Sequence, residues 1–383
     1  MERITLLGST GSIGEQTLDI VRRYPERFKI TSLVAHSRWQ QLAAQAREFG
    51  AESVVIGDER YYDLLKRELN GTDIEVLCGS EAINHVASSY RSDTIVNALV
   101  GYAGLHPTAL AIESGKRIAL ANKETLVVGG DIIMSAARRK GVEIVPIDSE
   151  HSAIMQCLEG EQRKSIRNLI ITCSGGALRN MSREELGMVT PELALKHPQW
   201  KMGAKITIDS ATLVNKGFEV IEAHWLFNIE PERIKVVIHP QSIVHSMVEF
   251  TDGAVKAQLG TADMHTPISY ALLYPERAAE AQENFSILDY PTLTFADVDR
   301  EKYPALDIAY DCLMRGGTAA CTMNGSNEVA VAAFLNHKCS YLDIVGSIRY
   351  ALENASFEQN PTLADYDMAN SEARELTRRY LNL

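Results

Sequence analysis

Three polar clusters interrupt apolar stretches of this 383-residue chain, and each has the composition to hold an ion. The apolar run 142–147 leads into Asp148-Ser149-Glu150. If the strand continues for two residues, Asp148 and Glu150 share a side, because strand side chains repeat every second position. Two carboxylates at the end of a strand suit a hard divalent cation; a helix cap is the plainer alternative. A second cluster comprises Asp209, Ser210, Thr212, Asn215, Lys216 and Glu219, following the apolar run 205–209. Asn215 and Glu219 are four apart and would share a helix face, with Lys216 three from Glu219. That spacing also describes a surface Lys–Glu pair, but the crowding of donors and charges suits an anion beside a metal. The third cluster, Cys173-Ser174-Gly175-Gly176, offers a hydroxyl and flexible amides to a phosphate, or is a Ser-Gly turn. The loop at 197–203 sets Trp200 and Met202 beside Gly203, as a lid over a bound ligand would require. Anchoring of Trp200 in a core is its alternative.

The segment Gly8-Ser-Thr10-Gly11-Ser12-Ile13-Gly14 separates an apolar strand, 4–7, from an amphipathic helix, 15–23. Glycines there let the backbone approach a pyrophosphate, whose charge meets the positive helix end. The next strand ends in Ala35-His36-Ser37-Arg38. No carboxylate is present there to receive ribose hydroxyls, and Arg38 with Ser37 could bind the extra phosphate of NADP. NADPH is therefore expected over NADH.

The elements that must position these groups alternate. Short apolar strands at 29–35, 53–56, 74–77, 94–99, 117–121 and 142–146 are separated by helical patterns, which predicts a parallel sheet covered on both faces. A doubly wound, Rossmann-type α/β domain should span 1–147. Beyond it the texture becomes α+β over 148–274, with strands expected at 166–173, 205–209, 235–239, 246–250 and 255–259, and a hairpin at Asp252-Gly253. Proline-bearing sequence at 275–304 reads as a linker, and 305–383 as a helical domain. A net charge of -12 opposes a general nucleic-acid binder but not a small anion met by local donors. Six scattered cysteines indicate neither a disulfide framework nor a thiolate zinc site. No apolar run reaches the roughly 20 residues of a membrane span, and no export signal is visible, so a soluble cytoplasmic protein without a membrane partner is expected.

Taken together, the clusters resemble the 1-deoxy-D-xylulose 5-phosphate reductoisomerase family. The likeness runs nearly end to end, through GSTGSIG (8–14), ALANKETLV (119–127), PIDSEHSAI (146–154), HPQWKMGAKITIDSATLVNKGFE (197–219), IHPQSIVHSMVEF (238–250) and NGSNE (324–328). The resemblance implies an NADPH-dependent enzyme that turns a linear ketose phosphate into 2-C-methyl-D-erythritol 4-phosphate. It implies Asp148, Glu150 and Glu219 as ligands of Mg2+, with Mn2+ or Co2+ as substitutes. Ser174, His197, Ser210, Asn215 and Lys216 match phosphate-side donors, and Ser149 a substrate contact near the metal. Lys123 falls among the catalytic polar groups, and Trp200 and Met202 in the loop over the substrate. Thr10, Gly11, Ser12, Ile13, Ser37, Arg38, Asn122, Glu124 and Gly203 fall at cofactor contacts. A homodimer and a three-domain division follow from the same resemblance. The family usually has Pro-Phe after Ser-Gly-Gly, whereas this chain has Ala177-Leu178-Arg179, a change expected to loosen the phosphate loop.

The implied chemistry is metal polarisation of a hydroxyketone, carbon–carbon cleavage and rejoining, and hydride transfer to the branched aldehyde. An NADP-dependent dehydrogenase acting on a phosphorylated aldehyde without rearrangement is the alternative enzyme. A non-catalytic nucleotide-binding regulator is the alternative outside enzymology.

Overall fold

Segments such as 4–7 and 118–120 have no polar side, so they need cover on both faces. The computed structural model describes residues 1–383 apart from Tyr90, His197, Pro198, Lys201 and 280–284. Seven of its strands are β1 (Glu2–Leu7), β2 (Phe28–Ala35), β3 (Ser53–Ile56), β4 (Glu75–Cys78), β5 (Thr94–Asn97), β6 (Arg117–Leu120) and β7 (Ile144–Pro146). They form one sheet in the order β4-β3-β2-β1-β5-β6-β7, parallel throughout. Ile4, Leu6, Leu7, Val54, Val55, Ile95, Val96, Ile118 and Leu120 are fully buried along it. The order reverses between β1 and β5, and in such sheets a ligand crevice opens outside the carboxyl ends at that point. The expected doubly wound sheet is present.

A second, mixed sheet runs β11-β10-β8-β9, from β8 (Ile166–Cys173), β9 (Ile234–Ile238), β10 (Val244–Phe250) and β11 (Val255–Leu259). Only β8 and β9 are parallel. The expected hairpin joins β10 to β11, where the Asp252 carboxylate accepts the Ala254 amide at 2.9 Å.

Two cores share the helix Val214–Phe227. Val220, Ala223 and Phe227 pack with the second sheet, alongside Leu169, Ile171, Val236 and Val248. Val214, Phe218 and Ile221 pack with the helices Pro304–Arg315, Ala319–Leu335 and Tyr341–Asn354, through Ala305, Met323, Phe334 and Ile344. A helix apolar on nearly every side is buried, and this one carries Lys216, Glu219 and Glu222 inside with it.

The segment 205–209, expected as a strand, is instead part of the helix Ala204–Thr212. Its β-branched run Ile206-Thr207-Ile208 alternates apolar and polar side chains and so mimics strand periodicity. Tertiary contacts decide otherwise: Ile208 and Ala211, three apart, enter the helical core, and Lys205 reaches Asp209 at 2.8 Å across one turn.

By contacts the chain falls into two compact units, Met1–Thr125 with Asp131–Asp148 and Met264–Glu283, and Leu126–Gly130 with Ser149–Asp263 and Asn284–Leu383. This grouping cuts the chain at different places from those read off the sequence. The helix His265–Leu273 counts with the first unit, where the Ala271 carbonyl accepts from Arg117 at 2.7 Å. The C-terminal helices share a core with the helix Val214–Phe227 and so count with the second.

Candidate active site

In the first unit, Gly8 follows β1 at φ +91, and a Cβ there would lie 2.4 Å from the Ala98 carbonyl oxygen. Only glycine lets the loop pass so close to the end of β5. The helix Ser12–Arg23 begins beyond it with Gly11 as N-cap and no side-chain cap, so its first amides are not taken by a capping side chain. Arg38 is exposed, and its Nη1 donates to the Thr10 carbonyl at 2.7 Å, which brings two expected cofactor residues together. Asn122 is almost fully buried and braces the region. Its amide donates to Leu99 O and Gly101 O at 3.0 Å and to Glu124 at 3.1 Å, and its oxygen accepts the Thr125 amide at 2.9 Å.

Lys123 and Asp148 form an ion pair of 2.6 Å, both side chains only 9% exposed. β7 stops at Pro146, and a helix, Ser149–Leu158, begins almost at once. The expected strand extension is therefore absent. Asp148 and Glu150 are kept near each other by a strand-to-helix turn, with Glu150 in the first helical turn, where the helix dipole favours an anion.

In the second unit, Lys216 is the centre of charge. Its Nζ donates to Glu150 Oε1 at 2.7 Å, to the Thr172 carbonyl at 2.6 Å, and to Glu219 Oε2. Burial alone would depress this ammonium, but Glu150 and Glu219 outweigh it and hold its pKa above the ordinary lysine value. Asn215 donates to Glu219 and the Ser149 hydroxyl to Glu150. Ligand oxygens of Glu150 and Glu219 lie within 4.8 Å of one another. An all-oxygen pair of carboxylates fits a hard divalent cation, whose two positive charges would match theirs.

Two more of the expected donors, Ser174 and Ser210, lie on elements that touch. Gly176, at φ +69, has Ser210 O and Ala211 so near that a Cβ would sit 2.7 Å from the former. The loop after β8 is thereby held against the end of the helix Ala204–Thr212, which places Ser174 and Ser210 on adjoining elements. Leu213, buried at φ +57, turns the chain from this helix into the helix of Asn215 and Lys216. Trp200 stands with its ring centroid 6.0 Å from that of His245, while Met202 and Gly203 precede the helix Ala204–Thr212. His197 lies outside the described residues.

Two groups escaped the sequence reading. His151 and Glu222 are both fully buried and approach to 3.4 Å, and His151 Nε2 donates to the Glu219 carbonyl at 2.8 Å. A charged residue set between apolar neighbours, as Glu222 is between Ile221 and Ala223, demands a partner when the helix is buried, and that was the available signal. His245 is the other; burial, with help from His239 and Lys216, pushes its pKa down to about 4, so it is neutral near neutrality.

Family models described as 1-deoxy-D-xylulose 5-phosphate reductoisomerase, its C-terminal domain, and the DXP reductoisomerase C-terminal domain match residues 4–130, 144–227 and 259–376. The reductoisomerase of Bacteroides fragilis is 47% identical over 380 residues, 99% of this chain and 98% of its own. That of Chlorobaculum tepidum is 49% identical over 381 residues, the whole of both chains. Among solved structures, the Zymomonas mobilis enzyme in complex with NADPH superposes with a TM-score of 0.92 at 40% identity, covering 99% of each chain. A DOX-P reductoisomerase in complex with NADPH, fosmidomycin and magnesium gives 0.95 at 37%, covering 100% of this chain and 99% of its own. Likeness of this extent, carried through both sheets and the C-terminal helices, leaves one assignment: the chain belongs to the 1-deoxy-D-xylulose 5-phosphate reductoisomerase family.

Proposed function

We propose that this protein isomerises and reduces 1-deoxy-D-xylulose 5-phosphate to 2-C-methyl-D-erythritol 4-phosphate with NADPH and a divalent metal, as a step of isoprenoid synthesis. The observation that carries the reading is the gathering of Glu150 and Glu219 on Lys216 beside the Ser174 loop, in a chain whose solved relatives hold NADPH, magnesium and fosmidomycin. Asp148, Glu150 and Glu219 are the metal's ligands in this reading, Asp148 being tied to Glu150 through a single intervening residue. Mg2+ is the expected ion and Mn2+ or Co2+ would substitute, since all accept oxygen donors. Held by Asp148, Glu150 and Glu219, such an ion would supply Lewis-acid polarisation of the ketose carbonyl and its neighbouring hydroxyl.

This chain's own groups do the rest. Ser174, Ser210 and Asn215 bind the phosphate by hydrogen bonds to its anionic oxygens, with His197 as a further donor, and Lys216 adds its positive charge on the phosphate side. Ser149 contacts the substrate beside the carboxylates, and Lys123 holds Asp148 in place. Trp200 and Met202 exclude water above the reacting carbons. The loop of Thr10, Gly11, Ser12 and Ile13 receives the pyrophosphate, Ser37 and Arg38 the 2′-phosphate, and Asn122, Glu124 and Gly203 are further cofactor contacts in this reading. A homodimer fits the open edge of β11, where Val255 is 51% exposed, because an unpaired strand edge is a template for a partner. No described helix is long and apolar enough to cross a membrane, and six free thiols suit a reducing cytoplasm.

A dehydrogenase acting on a phosphorylated aldehyde would need the same cofactor loop but no chelating carboxylates. Carbon-13 NMR of the product decides between them. A branched carbon skeleton formed only with metal and NADPH is expected; an unbranched reduced product would refute the proposal.

A further inference from the structure

The turn after β8 is tightly held, contrary to the loosening expected from Ala177-Leu178. Leu178 is fully buried in the helical core. Lys302, from the stretch read as a linker, sends its Nζ to three carbonyls of this turn, Leu178 O at 2.9 Å, Arg179 O at 2.8 Å and Met181 O at 2.6 Å. Those three contacts use every N–H of the ammonium. The neighbouring Tyr303 hydroxyl donates to Gly175 O at 3.2 Å, and Arg179 Nη1 donates to Ser174 O at 2.6 Å. Because C=O and N–H point opposite ways in a trans peptide, anchoring Gly175 O aims the Gly176 N–H away from Tyr303. That N–H donates to Ser174 Oγ at 3.1 Å. An oxygen engaged as acceptor in this way offers its own proton as donor.

We infer that Lys302 and Tyr303 are positioning residues for the substrate's phosphate group, acting by fixing the carbonyls of the turn so that the Ser174 hydroxyl is oriented to donate. The inference rests on the reading of Ser174 as a phosphate donor. Its distinctive requirement is that the two residues act through Ser174 and on phosphate affinity alone. Asp299 supports the arrangement by accepting the Lys302 amide at 3.0 Å just before the helix Pro304–Arg315.

Steady-state kinetics of the full-length protein with metal, NADPH and 1-deoxy-D-xylulose 5-phosphate test it. Lys302→Met keeps the aliphatic stem and removes the ammonium. It should raise the substrate KM about tenfold, the scale of lost hydrogen bonds from a charged donor, while kcat and the KM for NADPH stay near wild type. Tyr303→Phe removes one hydroxyl without changing shape and should raise the substrate KM about threefold; it also serves if Lys302→Met folds poorly. Combining Lys302→Met with Ser174→Ala should cost little more than Ser174→Ala alone, a coupling that general destabilisation does not produce. A raised KM in Ser174→Ala with wild-type KM in Lys302→Met and Tyr303→Phe would overturn the inference and leave the Ser174 reading intact. An unchanged KM in Ser174→Ala would overturn that reading, and the inference with it.

Discussion

Replacing Glu219 with glutamine nearly keeps the volume of the side chain and removes one negative charge from a buried cluster. Glu219 is 1% exposed, and its carboxylate is bonded by Asn215 and Lys216. Lys216 would retain Glu150 at 2.7 Å and the Thr172 carbonyl at 2.6 Å. The metal-free variant should therefore lose only about 1–2 kcal/mol, against about 3–5 when a buried charge is left without any partner. Metal binding should suffer more. Loss of an outer partner of a metal ligand typically costs about 10–100-fold in affinity, so loss of a direct anionic ligand should reach at least about 100-fold, or about 2.7 kcal/mol. Turnover should fall at least as far, with NADPH affinity preserved. Calorimetric titration of Mg2+ or Mn2+ into wild type and Glu219→Gln, each with NADPH and a phosphonate-hydroxamate mimic bound, measures the effect, and thermal melting without metal gives the stability part. Equal metal affinities would remove Glu219 from the ligand set. A matching loss of NADPH affinity would point to general damage instead.

Lys216→Met should take the ammonium from buried Glu219 and half-buried Glu150, leaving them Asn215 and Ser149 as donors, and cost about 3 kcal/mol in metal-free protein; added Mg2+ should restore much of it, and melting curves lacking that recovery would contradict the charge argument. Arg38→Ala should weaken NADPH about tenfold more than NADH, and equal losses for the two nucleotides would remove Arg38 from 2′-phosphate recognition. His245, held down to about 4 by burial, has a folded pKa below its unfolded value of about 6.5. The unfolded chain therefore binds the proton first as pH falls. His245 contributes stability that is present above about pH 6.5, declines as pH drops, and is lost, to the extent of about 3 kcal/mol, once pH passes about 4. Denaturant unfolding of His245→Gln across that window should show a correspondingly shallower decline; parallel curves for the two proteins would refute the assignment.

Most of the first sheet was legible because burial on both faces leaves a mark in the central strands, a short apolar run such as 54–56 or 118–120. Asp148 and Glu150 stood out for a related reason, as charges that break apolar sequence at the end of a strand, and Glu219 by its helical spacing from Asn215. Asp148 and Glu150 were nonetheless joined by the wrong geometry, since nothing local distinguishes two more strand residues from a helix start at Ser149. The segment 205–209 misled because β-branched alternation is a local pattern, while its helix is imposed by packing against residues more than a hundred positions away, such as Met323. Lys302 was invisible as a functional residue. Its role depends on three backbone carbonyls, which carry no sequence identity at all.

The helix Val214–Phe227, gripped by two cores at once, has a consequence for how readily its charged residues can respond to new charge. Asn215 and Lys216 fasten the Glu219 side chain, His151 fastens its carbonyl, and Phe218 and Val220 on either side are fully buried. A dipole or carboxylate so fixed cannot swing when electron density shifts on a neighbouring ligand. The reorganisation that water would undergo at that moment has already been completed during folding, and a cavity-forming change at Phe218 would loosen that preset arrangement at the same time as it costs about 3–5 kcal/mol of stability.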